Sequence, residues 1–458
     1  MRNVSRPVNR LPPDILSSIA RYLIEDYEHD ATSIVPLTHV CRYWRESIIS
    51  TPENWTLISG KNEDMTAVCL KRAKAAPLEI TVYMETGAPS PNLFSPYLHN
   101  TRTLAVYFPP AIGELTEVFP NFPQSIPTLR SLKLVWVWDV DRDRTIDPFE
   151  SFVPPLQHLY LAGIPLYPSL LGLRTLTEVT IRFSRFDFHL DTLLDFLEGN
   201  HSLESATLDI HFVNPSLLSS QRKTAMKNNL RHLYIDCDEK VDVQALLSSI
   251  PLRRGADLDV IIRDELQHAT LDSFLPEISS AHLSNPPLPT FFRLGHIIRC
   301  REIKLGGPGG SISFHGLSWL GVSFADFAVL PLSDVREVHI YYYPGHTLKP
   351  PVFYPSYFPA LETLIINCSA HVLDVLSALL SNSSPSPSLK TIRFLNCDLS
   401  EDLMKRLTKF ASERQNIPTS TRLHRVQIVH REGAFPSVAS IGKLRKYVKI
   451  VEVQRTSS

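Results

Sequence analysis

One short pattern recurs along most of this chain and restricts it to a stacked array. An apolar pair spaced by two, often with a third apolar residue three places earlier, occurs at Leu78/Ile80, Leu104/Val106, Leu132/Leu134, Leu159/Leu161, Val179/Ile181, Ala206/Leu208 and Leu233/Ile235. It continues at Val260/Ile262, Ile303/Leu305, Val338/Ile340, Leu364/Ile366, Ile392/Phe394 and Val426/Ile428. Successive pairs lie 26, 28, 27, 20, 27, 27, 27, 43, 35, 26, 28 and 34 residues apart, so eight of twelve intervals fall at 26–28. The clearest copies begin at Leu129, Leu156, Leu230 and Leu361 and read L-x-x-L-x-L or its Ile variants. Spacing by two makes a short strand whose alternate residues face a core. Apolar residues at helical spacing lie between the pairs, at Leu193–Leu197, Val243–Ile250, Val372–Leu380 and Leu403–Phe410. Each unit thus reads strand, turn, helix, turn. One such unit cannot bury its own apolar face, so neighbours must stack. The expected fold class is α/β, with parallel strands lining a concave side and helices a convex side. A doubly wound α/β domain is the rival; it needs fewer and longer strands.

Departures from the period mark insertions. The interval of 43 holds Leu271–Ile278, expected as a helix, and the loop Asn285–Pro289. The interval of 35 holds Gly306–Gly310 and an alternating stretch from Ile312 to Phe327, expected as an extra hairpin. The last long interval is assigned to a turn at Ser412–Ser420, and Ser381–Ser388 to a connection. Loops carry specificity more often than the scaffold does.

The first 58 residues follow another plan. Pro12 and Pro13 suit a helix start, and Asp14 places negative charge in the first turn. Ile15, Ile19 and Leu23 form one apolar stripe, widened by Leu16; Leu37, Val40, Cys41, Trp44 and Ile48 form a second. Polar Glu25–Ser33 reads as the connector. So small a unit buries too little surface to hold itself together, and its apolar groups need another surface to cover them. That surface is either the array itself, with the helices as a cap, or a partner.

Leu11-Pro12-x-Asp14-Ile15-Leu16-x-x-Ile19, then Val40-Cys41-Arg42-x-Trp44-Arg45, then Thr51-Pro52-x-x-Trp55, resembles the F-box, in the form common in large fungal families; the match runs from about Leu11 to Ile58. The array resembles the degenerate leucine-rich repeats of F-box proteins. The ladder residue of those repeats, five places after the fourth-position Leu, is present as Cys397 after Ile392, while Cys237 and Cys368 fall one place short. The resemblance implies a division into a tail at 1–10, an F-box module at 11–58, a linker helix at 59–76 and a solenoid of about 13 repeats at 77–458. It implies docking to a Skp-type adaptor and, through it, a cullin-RING ubiquitin ligase, with an unknown target protein on the repeats. The adaptor-binding residues by this resemblance are Leu11, Pro12, Ile15, Leu16, Ile19, Val40, Cys41 and Trp44. Some of them are open to the alternative role of packing inside the module.

The remaining sequence supplies limits. Net charge is −1, so no global field draws the chain to nucleic acid or anionic lipid, and no 18-residue apolar run spans a membrane. The start of the chain, rich in arginine, has no apolar core of a secretory signal. Six cysteines without C-x-x-C pairs suit free thiols in a reducing cytosol or nucleus and no zinc site. The Gly306–Gly310 run lacks the Lys-Ser/Thr of a phosphate loop, and Asp139–Asp143 lacks the Gly and distal Glu of a calcium loop. No nucleophile elbow or zinc-protease motif occurs, so neither catalytic residues nor a cofactor or metal site is expected. His158, His232 and His424 are expected as polar residues at strand edges. Trp136 is in phase with Leu132 and Leu134 and is expected in the core. Trp138, Tyr341 and Tyr343 are the candidates for target contact, because exposed aromatics dominate interface energy.

Overall fold

The computed structural model describes residues 11–26, 31–84, 93–108, 126–136, 154–164, 166, 168–184, 190–210, 229–237, 246, 250, 257–262, 291–297, 300–307, 310–315, 335–342, 356, 358–367, 379, 387–397, 400–416, 421–430 and 436–455. The chain divides into two compact units, one of residues 1–219 and 227–229, the other of 220–226 and 230–458.

The first unit begins with helices. α1 spans Pro13–Asp26, a 3-10 helix spans Ala31–His39, α2 spans Arg42–Ser50, and a 3-10 turn spans Pro52–Trp55. Strand β1 (Leu57–Ser59) and helix α3 (Glu63–Ala73) follow. Next come β2 (Leu78–Tyr83), β3 (Thr101–Phe108), β4 (Ser131–Trp136), β5 (His158–Ala162), β6 (Glu178–Ser184), helix α4 (Leu190–Gly199) and β7 (Ser205–Ile210). All neighbouring pairs from β1 to β7 are parallel. The register aligns the recurring apolar pairs. Leu104, Leu132, Leu159, Val179 and Ala206 form one buried row, and Val106, Leu134, Leu161, Ile181 and Leu208 the next.

The leading Leu of the motif has its own role. Leu129, Leu156, Leu176 and Leu203 are fully buried just before their strands. The two residues after each of them hang on the previous repeat. The amides of Gln157 and His158 both donate to Arg130 O, those of Thr177 and Glu178 to Gln157 O, and those of Glu204 and Ser205 to Thr177 O. The x-x of L-x-x-L is thus the backbone hinge that locks one strand to the next. Gly163 follows β5 at φ +67°; a Cβ there would meet Trp136 O at 3.0 Å, so this close approach requires glycine. The short interval of 20 between β5 and β6 has a 3-10 turn, Pro168–Gly172, as its described element.

The second unit contains β8 (His232–Cys237), β9 (Asp257–Ile262), β10 (Phe291–Ile297), β11 (Cys300–Gly307), β12 (Gly310–His315), β13 (Glu337–Tyr342), β14 (Thr363–Asn367), β15 (Thr391–Leu395), α5 (Glu401–Gln415), β16 (Arg425–His430), α6 (Val438–Leu444) and β17 (Ile450–Arg455). The parallel run β13 to β17 repeats the design of the first unit. Val338, Leu364, Ile392, Val426 and Val451 stack in one row, and the same paired amides return: Glu362/Thr363 to Arg336 O, Lys390/Thr391 to Glu362 O, His424/Arg425 to Lys390 O.

Several expectations change here. Ile303/Leu305 lies on β11, which is antiparallel to both β10 and β12, so it is not a copy of the parallel repeat. Two residues join β11 to each neighbour, a length that permits only antiparallel pairing. The three strands enter between β9 and β13, because β12 pairs parallel with β9 and β10 parallel with β13. A hairpin is formed by β11 and β12; of the stretch Ile312–Phe327 expected as a hairpin, Ile312–His315 lies on β12 and the rest lies outside the described residues. In β9 the pair in register with Leu233 and Ile235 is Leu258/Val260, two residues before Val260/Ile262; the amide of Asp257 fixes this by donating to Arg231 O. β17, with Val451 and Val453, adds a parallel strand beyond the last recurring pair, Val426/Ile428. The 15-residue α5 continues through Ser412 to Gln415, so the first part of the expected turn Ser412–Ser420 is helical, while residues 417–420 lie outside the described residues; the helix is capped by Ser400, whose hydroxyl accepts from the Leu403 amide.

Helices α4 and α5 enclose the expected apolar segments Leu193–Leu197 and Leu403–Phe410. Leu246, Ile250 and Leu379 are buried; the rest of those two segments, Leu271–Ile278, Asn285–Pro289, Asp139–Asp143 and most of Ser381–Ser388 lie outside the described residues. The buried thiol of Cys397, the expected ladder residue, donates to Ile366 O of the preceding strand at 3.3 Å. Trp136 is buried, 5.9 Å from the Phe108 ring. No helix among the described residues is long and apolar enough to cross a membrane.

Candidate docking surface

In α1 the buried line is Leu16, Ala20 and Ile24, at i, i+4 and i+8. Ile15 lies one residue off that line and is 43% exposed; Ile19 is half-buried and Tyr22 is 68% exposed. The apolar stripe read from sequence therefore splits. Leu16 faces inward, whereas Ile15, Ile19 and Tyr22, at i, i+4 and i+7, form an outward face about 10 Å long.

The second apolar stripe breaks as well. Pro36 lies inside the Ala31–His39 3-10 helix, and Cys41 is the N-cap of α2, with extended backbone. Trp44 and Ile48 point into the module and are buried, while Val40 is 48% exposed and Tyr43 38%. The Tyr43 hydroxyl donates to Leu11 O at 2.8 Å and ties the start of α2 to the start of α1. This bond brings Leu11 to the Tyr43 side chain. Arg45 Nε donates to Thr38 O and braces the turn between the 3-10 helix and α2. Arg42 pairs with Glu46 on the surface at 2.7 Å, and this hydrogen bond raises the guanidinium pKa further, so the charge at this rim is fixed.

Of the eight residues implied by the resemblance, Pro12, Ile15 and Val40 are exposed, Leu11, Ile19 and Cys41 are half-buried, and Leu16 and Trp44 belong to the interior. The sequence reading missed Tyr22 and Tyr43. Tyr22 was findable from its helical spacing to Ile15 and Ile19. Tyr43 was not, because its hydroxyl bond to Leu11 joins residues 32 apart.

Trp55 closes the unit. It is fully buried, its indole donates to Ile48 O at 2.9 Å, and the Arg72 guanidinium of α3 lies 4.2 Å from its ring. Just beyond it, β1 pairs with β2, and the Glu79 amide donates to Thr56 O. The helical module is thus built into the edge of the first sheet and does not hang from a free linker.

The expected target contacts are less accessible to description. Trp138 and Tyr343 lie outside the described residues, and Tyr341 occupies β13 in register with Gly295 of β10 and Asn367 of β14. His158 and His232 begin β5 and β8, and His424 precedes β16; all three are exposed. His158 Nδ1 sits 3.2 Å from Glu178 and His232 Nδ1 3.2 Å from Asp257, each across one strand pair. Among the described residues no group of three His, Cys, Asp or Glu is placed to hold a metal, and Cys41, Cys69 and Cys397 form no disulfide.

Among the described residues six large apolar side chains are exposed, and four of them are Ile15, Tyr22, Val40 and Tyr43. No curated protein matches the chain. Residues 8–59, the segment that carries this surface, match the family described as F-box-like.

Proposed function

We propose that the chain is the target-recognition subunit of a Skp–cullin–F-box ubiquitin ligase. The F-box-like segment docks to a Skp-type adaptor, and a solenoid of degenerate leucine-rich repeats holds the target protein. The observation that carries the reading is the exposure of Pro12, Ile15, Tyr22, Val40 and Tyr43 on a segment whose interior is formed by Leu16, Ala20, Ile24, Ile34, Trp44 and Ile48. Burying one such side chain fully contributes about 1.5–3 kcal/mol, so an adaptor that covers several of them gains a tight hold. The protein acts without catalytic chemistry of its own: it raises the effective concentration of a target beside a ubiquitin-charged enzyme. The setting of this activity is the cytoplasm or nucleus.

A second reading, in which the helices cap the strand array, draws on the pairing of β1 with β2 and on Trp55. The two roles use different faces, since the cap residues point inward and the docking residues outward. Deleting residues 1–58 does not separate them, because it strips most of β1 from β2 in either case.

Point substitutions on the outward face do separate them. Full-length chain co-expressed with a Skp-type adaptor should elute as a stable complex. Ile15→Lys with Val40→Asp should remove the complex and leave the thermal midpoint unchanged. A complex that survives both charges would overturn the docking assignment. Trp44 is unsuitable for this test, because a charge at a buried position unfolds the module.

A further inference from the structure

One cavity of the second unit is walled mostly by cations. Its volume is about 220 Å³, and it is lined by Arg422, Leu423, His424, Arg445, Val448 and Lys449. These residues come from two short stretches that lead into neighbouring strands. Arg422, Leu423 and His424 precede β16, and Arg445, Val448 and Lys449 join α6 to β17. Leu423 and Val448 are buried and give the cavity an apolar floor, while the four basic residues are exposed. The end of α5 holds both walls in place. Arg414 Nε donates to Thr421 O at 2.8 Å, next to Arg422, and Gln415 Nε2 donates to Tyr447 O at 3.0 Å, next to Val448. The Ile450 amide donates to His424 O and joins the two walls where the strands begin.

The acidic side chains around this cavity are engaged elsewhere. Glu452 of β17 holds Arg425 at 2.7 Å, Glu413 of α5 lies 3.6 Å from Lys409, Asp402 holds Arg406, and Glu401 accepts from Ser437 and Ser440. The other two acidic residues after 381 are Asp398 and Glu432; they follow β15 and β16 in the sequence, whereas the cavity is built from residues that precede strands. Across the strand starts His424 has Lys449 on one side and Lys390 on the other, and Lys390 is paired with Glu362. The connections that enter β15 and β16, residues 381–386 and 417–420, contain no Asp or Glu, and neither does the stretch 436–451. Among the described residues none of Arg422, His424, Arg445 and Lys449 forms an ion pair. On a chain of net charge −1 this is a local concentration of positive charge.

We propose that this cavity binds a phosphate monoester. Arg422, His424, Arg445 and Lys449 hold the phosphate, and the carbon beside the ester oxygen rests on Leu423 and Val448. The planar donors of a guanidinium match phosphate oxygens in pairs, and lysine adds a compact point charge. Basic side chains that converge on one cavity from two walls suit a doubly charged group better than a single carboxylate. A compact site also suits one such group better than a nucleic acid, whose binding rests on many phosphates in line. Walls already fixed by Arg414 and Gln415 lower the cost of ordering the site around its ligand. A phosphorylated side chain and a small phosphorylated metabolite carry the same group. The chemistry of the cavity does not depend on the receptor reading above.

The test uses full-length chain and three fluorescein-labelled Gly-Ser peptides that differ at one position, which holds phosphoserine, serine or glutamate. Fluorescence anisotropy should show binding of the phosphoserine peptide that weakens as salt rises, weaker binding of the glutamate peptide and none of the serine peptide. Arg445→Glu should weaken phosphoserine binding about tenfold or more, and Arg422→Met should weaken it in the same direction. Both positions are exposed, so the thermal midpoint should stay that of the parent. Lys71→Glu on α3, an equal change of charge in the first unit, should leave binding within about twofold. Glycerol phosphate, titrated by calorimetry, separates the two sources: binding of this probe assigns the site to small esters, and peptide binding without it assigns the site to phosphorylated side chains. Absence of binding by both phosphate probes, equal binding of the phosphoserine and glutamate peptides, equal affinity of the Arg445 and Lys71 variants, or tighter binding of an oligothymidylate would each overturn the proposal.

Discussion

The helical segment and the strand array spend their apolar residues in opposite ways. Within each unit of the array, three apolar positions per strand point into the core, and each parallel strand covers the next; Leu156, Leu159 and Leu161 are all buried. In the helical segment the inward line of α1 needs only Leu16, Ala20 and Ile24, and a second set is left facing solvent. Beyond that segment, the exposed large apolar residues among those described are Val68 and Val438. A chain that buries leucines so completely over its repeats, yet exposes isoleucine, valine and two tyrosines within its first 43 residues, is not short of ways to hide them. The difference teaches that burial in the array serves folding, while the apolar residues exposed in the module are left over from its own packing and are the ones the proposed docking would cover.

The largest effect that can sharpen this comparison is at the joint between the two regions. Trp55→Ala should cost about 3–5 kcal/mol, because it empties a fully buried site and removes both the bond to Ile48 O and the stacking of Arg72. Denaturant unfolding of the full chain measures it. A loss below about 1 kcal/mol would mean that the module and the sheet are coupled more loosely than their packing implies. Next comes the outward face. Ile15→Lys with Val40→Asp should weaken adaptor binding by about a hundredfold or more, equivalent to about 2.7 kcal/mol, with stability within about 0.5 kcal/mol of the parent. Titration calorimetry and a melting curve on the same protein read both.

Two further changes probe the array, where the same kinds of substitution should alter stability and leave the adaptor untouched. Arg414 of α5 is 2% exposed and donates to the carbonyls of Pro387, Leu389 and Thr421. Burial pulls its pKa down to about 10, so it remains charged at neutral pH. Arg414→Met should cost about 2–3 kcal/mol, since three carbonyls lose their donor. The smallest effect concerns Glu401, whose carboxylate accepts from the Ser440 hydroxyl at 2.6 Å and from the Ser437 amide; these bonds hold its pKa below the usual carboxylate range. A depressed folded-state pKa stabilises above the unfolded pKa and loses that contribution as pH falls through the folded value. The difference in thermal midpoint between parent and Glu401→Gln should therefore be present at neutral pH and shrink on acidification. A difference that grows as pH falls would reverse the sign of the coupling.

The sequence disclosed the array well because one physical rule generates it. A strand with alternate apolar residues, spaced by a fixed crossover, leaves a mark at every copy, and even the single ladder residue Cys397 forms the bond its position implies. The rule failed where backbone connectivity overrode apolar spacing. Cys300–Gly307 has the right pairing of Ile303 and Leu305, but its short flanking turns make it antiparallel. In β9 the residues Leu258, Val260 and Ile262 all alternate correctly, so spacing alone could not choose between the two pairs, and the lead-in hydrogen bond did. The helical segment was legible in its motif and less so in its geometry. Ile15 and Leu16 are neighbours of equal hydrophobicity, and only the packing of α1 shows that one faces out and the other in.

Amide hydrogen exchange of the full chain, alone and with a saturating Skp-type adaptor, tests the central claim most directly. The account expects added protection confined to α1 and to the turn from Leu37 to Arg45, with the strands β2 to β17 unchanged. A complex that protects the strand face and leaves Ile15 to Tyr22 exchanging as before would contradict it.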